Sequence, residues 1–267
     1  MLPRPTLMRM RMLSARFEVA RVRFYSKLVL FASLLACSAL AVATISAQQR
    51  VSKRYPAGKN VHITLKNISG TITVESWNRE EIKLTAVFDS PKANISPRQS
   101  GNVLIVDMMA DNREHSDVGD VNFQLQVPVN SSVDLQTKRG QIKVTNIHGE
   151  LVSARVSLEG DIELSGISAS EVFVQNTIGD IFFDGEFASG GSYRFQSSKG
   201  NITIRIPANS AFSLDATAQN SKIALNEFWN NGLRSLGDGR NLQGNVVDGR
   251  SRVFVRNFQG SITFIRR

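Results

Sequence analysis

Two segments decide the fold: Val172-Phe173-Val174-Gln175-Asn176-Thr177-Ile178-Gly179-Asp180-Ile181-Phe182-Phe183 and Tyr193-Arg194-Phe195-Gln196-Ser197-Ser198-Lys199-Gly200-Asn201-Ile202-Thr203-Ile204. Each alternates apolar and polar residues, breaks at a glycine after a short polar turn, and resumes alternation from an isoleucine. Period-two alternation puts one set of side chains on one face of a strand. The break needs a residue that tolerates positive φ, which glycine does without a Cβ clash. One such unit buries too little apolar surface to stand alone, so its copies must shelter one another.

Copies occur on both sides. Val133 to Val144 turns at Gly140, Val156 to Leu164 turns more tightly at Gly160, and Val253 to Phe264 turns at Gly260. Phe212 to Leu225 keeps the pattern with Asn220 near the glycine's place, and an outlying copy, Ile63 to Val74, turns at Gly70. Gly140 to Gly160 is 20 residues, Gly160 to Gly179 is 19, Gly179 to Gly200 is 21, Asn220 falls 20 after Gly200, and Gly260 falls 40 after Asn220. A constant period that carries the alternation with it predicts an all-β fold. The form expected is a β-solenoid, or single-stranded β-helix, of about 20 residues per rung with an interior Ile/Val ladder. A β-sandwich of hairpins is the competing fold, because strand–turn–strand also reads as a hairpin.

Residues 51–128 are less regular and are expected to form an antiparallel N-terminal cap. The repeats proper then cover 129–267, and 51–267 make one continuous domain. Terminal units of a stacked array need an atypical cover, or their open edge pairs with other chains. Two long loops interrupt the pattern: the acidic stretch Asp107 to Asp120, read as a solvated connection, and Asn226 to Arg252 with Trp229, read as an irregular rung.

The recurring Gly-x-Ile-x-Val signature resembles a bacterial family of β-strand-repeat proteins grouped as adhesins and otherwise of unknown function. The opening Asn67-Ile68-Ser69-Gly70-Thr71-Ile72-Thr73-Val74, followed by Trp77-Asn78-Arg79, looks like that family's first glycine motif and its Trp-Asn/Asp-Arg turn. The resemblance covers roughly residues 55–267. It implies a β-helical fold and a surface location, and its motifs encode turns and strands rather than chemistry.

Upstream, Met1 to Lys27 carries seven basic residues and one acid, and an apolar stretch from Leu28 ends in Thr44-Ile45-Ser46-Ala47. This is the pattern of a secretory signal over residues 1–47, which places the protein outside the cytoplasm. Without that segment, 25 basic and 22 acidic residues leave a net charge of +3 instead of +9. So little excess leaves no basic stripe for nucleic acid. Cys37, the single cysteine, lies within the leader, so the remainder contains no disulfide. Leu34-Leu35-Ala36-Cys37 also fits a lipobox, making Cys37 the candidate lipidation site. Three outcomes stay open: cleavage near Ala47, a lipid anchor at Cys37, or an uncleaved leader spanning the membrane. Contact with a membrane is expected only through such an anchor or leader.

Catalytic signatures are missing. His62, His115 and His148 form no spaced zinc pair, and there is no nucleophile elbow, phosphate loop or dinucleotide fingerprint. Asp161 and Asp180 each follow a turn glycine and would stack about 4.8 Å apart on successive rungs. They are the first suspects for a lyase or glycosidase. Gln141 and Asn201 at the equivalent positions make a polar ladder the simpler reading. The acidic loop offers at most a weak calcium site and lacks EF-hand spacing. No catalytic residue, metal or cofactor is expected. The reading is a non-enzymatic extracytoplasmic binding module of adhesin type, or an envelope scaffold, contacting a surface protein or polysaccharide. The alternatives are a carbohydrate-active enzyme and an envelope-stress sensor.

Overall fold

The computed structural model describes residues 49–114, 118–236 and 238–267. Strands β1 (Gln49–Pro56), β2 (His62–Lys66), β3 (Ile72–Trp77), β4 (Glu81–Phe88), β5 (Arg98–Ser100) and β6 (Val103–Asp107) come first. One helical turn, α1 (Met108–Asp111), leads to β7 (Val121–Pro128), β8 (Ser132–Arg139), β9 (Ile142–Thr145), β10 (Leu151–Glu159) and β11 (Ile162–Ile167). They are followed by β12 (Glu171–Ile178), β13 (Ile181–Gly185), β14 (Ser192–Lys199), β15 (Ile202–Ile206), β16 (Phe212–Ala218) and β17 (Ile223–Ala224). A 3-10 turn at Asn226–Phe228 precedes β18 (Leu233–Leu236), β19 (Asn241–Val246), β20 (Ser251–Gln259) and β21 (Ile262–Arg266).

Each coil gives one strand to each of two sheets, ordered β1-β4-β7-β3-β9-β11-β13-β15-β21-β17 and β18-β19-β16-β20-β14-β12-β10-β8-β2-β6-β5. We call these the first and second sheet. Coil strands stack in parallel. In the first sheet Ile142, Ile162, Ile181 and Ile202 lie in register, and in the second Val133, Val152, Val172 and Tyr193 do so. All eight side chains are buried in the core between the sheets. Parallel ladders between segments one period apart establish the solenoid and remove the sandwich of hairpins, whose neighbouring strands would run antiparallel.

The stacking order departs from chain order. β20 pairs with β14 on one side and β16 on the other, so the last coil, β20–β21, is wedged between coils β14–β15 and β16–β17. At the opposite end β2–β3 lies between β6–β7 and β8–β9. Parallel stacking asks only for matching register, and coils sharing the same corner and alternation satisfy it whatever their distance along the chain.

Three of the four sheet edges close antiparallel, and the first sheet ends in the short parallel strand β17. β4 adds to β7, β1 to β4, and β5 to β6, so the antiparallel part of the N-terminal region is narrower than 51–128, where β2–β3 and β6–β7 are parallel coils. At the other end β19 adds to β16 and β18 to β19. Within residues 226–252, β18 and β19 thus form a capping hairpin in place of the irregular rung that the glycines indicated. Covering the terminal coils keeps their ladders from templating another chain.

The corner glycines do more than turn the chain. Gly140, Gly160, Gly179, Gly200 and Gly260 all have φ between 112° and 147°. A Cβ on Gly179 would lie 2.1 Å from the carbonyl oxygen of Gly160, and one on Gly260 would lie 2.0 Å from that of Gly200. Backbone is stacked on backbone there, so a side chain is excluded by space as well as by φ. Inside the corner, buried Asn176 donates from Nδ2 to the Gly160 carbonyl at 2.8 Å, and buried Asn257 does the same to Gly200 at 2.8 Å. These bonds satisfy carbonyls that the turn would otherwise leave without a partner.

Candidate binding face

The suspected carboxylates have structural work. Asp161 Oδ1 accepts the Asp180 amide at 2.8 Å, Asp180 Oδ1 accepts the Asn201 amide at 2.7 Å, and Asn201 Oδ1 accepts the Ser261 amide at 3.1 Å. Residues after the corner glycine thus hand hydrogen bonds from coil to coil, as the polar-ladder reading requires. In the acidic loop, Asp107 caps α1 through the Ala110 amide at 3.0 Å and pairs with Lys66 at 3.5 Å. Asp111 accepts the Ser96 amide at 2.8 Å and pairs with Arg98 at 3.2 Å. His62 opens β2 and His148 lies in the turn before β10. Among the described residues no three His, Cys, Asp or Glu side chains gather to hold a metal. Cys37, the leader, His115 and Asp117 lie outside the described residues.

The outer faces of the two sheets differ in how their charges are matched. On the first, Lys143 pairs with Glu163 at 2.9 Å and Arg205 with Asp184 at 2.6 Å. Arg267 reaches Asp184 at 3.7 Å and Glu186 at 2.7 Å. The Arg205 guanidinium is held above its ordinary pKa, first by the hydrogen bond to Asp184 and then by that carboxylate's charge, with desolvation opposing both.

The second sheet collects arginine and phenylalanine. Phe173, Arg194, Phe254 and Asp215 occupy one outward row across β12, β14, β20 and β16. Beside it runs the row Arg155, Gln175, Gln196, Arg256 and Thr217, across β10 to β16. Arg155 stacks on Phe173 with its guanidinium carbon 5.4 Å from the ring centroid, while Arg194 and Arg256 flank Phe254 at 4.9 and 4.1 Å. Arg252, beside Ser192 and Ser213, is exposed, as are Arg155 and Arg194. Only Arg256 has a carboxylate, Asp215 at 2.9 Å; Arg155, Arg194 and Arg252 have none among the described residues. Two shallow clefts flank the Phe254–Arg256 pair. One of about 260 Å³ is lined by Gln175, Gln196, Thr217 and Phe258, and one of about 350 Å³ by Arg194, Asp215 and Arg252.

With the coils, corners and faces in place, the family follows: the model of the family described as Toastrack DUF4097 matches residues 38–263. The chain belongs to the Toastrack DUF4097 family. This Toastrack chain is similar to the crystal structure of a candidate cell adhesion protein from Clostridium sporogenes, with a TM-score of 0.52 and 13% identity over 82% of this chain and 100% of that one. It is also similar to a candidate adhesin from Bacteroides fragilis, with a TM-score of 0.38 and 12% identity over 82% of this chain and 98% of that one. No curated protein matches the Toastrack chain in sequence. At these identities the first likeness speaks to fold.

The arginine–phenylalanine face escaped the sequence reading, although a signal for it existed. Counted back from the corner glycine, Phe173, Arg194 and Phe254 hold the sixth position and Gln175, Gln196 and Arg256 the fourth. Superimposing the Toastrack repeats on their glycines exposes both rows. Their order in space also requires knowing where the last coil inserts.

Proposed function

We propose that the protein is a non-enzymatic, extracytoplasmic binding module of adhesin type, and that the outer face of the second sheet is its contact surface. The observation that carries this reading is the set of three exposed guanidiniums without carboxylate partners, interleaved with two phenyl rings, on adjacent strands. A solenoid presents such rows rigidly, so little ordering entropy is lost on binding. The leader pattern before Gln48 supports a location outside the cytoplasm. The cell adhesion role given to the Clostridium sporogenes protein of similar fold supports a surface partner, a protein or a polysaccharide. Among the described residues no helix is long and apolar enough to cross a membrane; the proposed attachment, where there is one, is through Cys37 or the leader.

The protein should be retained by isolated bacterial envelopes, and Phe254→Ser combined with Arg256→Gln should release it without altering its circular dichroism. Unchanged retention of the double variant would remove the face from the proposal. Turnover of glycans or esters, abolished by replacing one carboxylate, would end the non-enzymatic reading.

A further inference from the structure

We infer that the second-sheet face takes an acidic polysaccharide laid across the strands, an assignment that rests on the proposed binding role of that face. The row Arg155-Gln175-Gln196-Arg256 sets two guanidiniums at its ends with two carboxamides between them. Neighbouring strands lie ~4.8 Å apart, so the two arginines are separated by roughly 14 Å, a span for a chain of sugars rather than one small anion. Guanidinium groups bind carboxylate or sulfate through paired N–H donors. Carboxamides both donate and accept, as hydroxyl-rich segments between acidic groups require.

The parallel row adds the second recognition element. Phe173 and Phe254 bracket Arg194, each partly exposed and each stacked under a guanidinium. Those contacts hold the arginines upright without consuming their N–H groups in ion pairs. Arg256 uses one terminal nitrogen on Asp215, which leaves its other donors for a ligand. The remaining carboxylates near the rows are Asp134, which neighbours Ser153 on the far side, and Glu171 at the strand start. The local balance therefore stays positive and complements a polyanion.

Other polyanions fit less well. Nucleic acid carries one charge per ~1.7 Å of duplex and is met by dense basic stripes, whereas this face sets four arginines on three of four adjacent strands. A lipid surface calls for exposed apolar groups that insert among the charges. The two rings of the rows lie beneath guanidiniums, and the exposed Leu158, Ile178 and Phe258 stand outside the rows, close to the corner glycines.

The test is binding of the full chain to polygalacturonate and alginate, with dextran, duplex DNA and phosphatidylglycerol vesicles in parallel. Binding to the polyuronates should fall with added salt, and Arg155→Gln/Arg194→Gln/Arg252→Gln should weaken it about tenfold or more. The thermal midpoint of the triple variant should stay at the wild-type value. Equal binding to dextran that the triple variant abolishes would overturn the acidic specificity while leaving the face as the binding site. Preference for DNA or vesicles would overturn the ligand class. Polyuronate binding that ignores the triple variant would overturn the proposed face together with this inference.

Discussion

The two outer faces of one solenoid are built from the same coils, yet along β9–β15 the first pairs its charges across strands, whereas along β10–β20 the second leaves arginines unpaired. On the first sheet Lys143 meets Glu163 and Arg205 meets Asp184, each across neighbouring strands. On the second, the strand next to Arg155 offers Gln175, and the strands beside Arg194 offer Phe173 and Phe254. Cross-strand neighbours lie close enough for opposite charges to pair, so the choice of neighbour alone decides whether a cation is matched or bare. The difference separates a stretch whose cations are matched from one whose cations are bare, which is the basis of the proposed contact surface.

The comparison depends on the corner both faces share. Gly179→Val should lower unfolding stability by about 3 kcal/mol or more, through backbone overlap added to a disfavoured φ. Urea titration followed by circular dichroism checks it, and wild-type stability would contradict the stacked corner. The positive φ was readable in the sequence and by itself sets a cost of at least about 1 kcal/mol. The 2.1 Å approach to the Gly160 carbonyl, which only the stacked coils create, is what raises it.

A smaller change would make the first face resemble the second. Asp184→Ala removes the nearly buried carboxylate shared by Arg205 and Arg267. The thermal midpoint should fall by roughly 2–4 °C, and affinity for polyuronate should rise, because Arg205 loses its carboxylate while Arg267 keeps Glu186. An unchanged affinity would mean that unpaired arginine does not by itself distinguish the faces. The smallest effect belongs to Lys143→Gln, which breaks an exposed pair on the first face. Stability should change by less than about 0.5 kcal/mol and polyuronate binding not at all. Loss of binding there would place the ligand on the wrong sheet.

Read without coordinates, the alternation about Gly140, Gly160, Gly179 and Gly200 already dictates strands, corners, coil length and the buried Ile and Val ladders. These are local properties: a pleat has period two, and only glycine meets the corner's demand on φ. The ladder role of Asp161 and Asp180 was legible for the same reason, since equivalent positions in successive coils must stack. The tertiary structure alone decides which coil lies beside which. Coils β2–β3 and β20–β21 sit out of chain order because any coil of matching register completes a parallel ladder equally well. Arg194, Phe254 and Arg256 become neighbours only when the last coil enters beside β14. That entry is a long-range packing choice, which no local pattern of residues encodes.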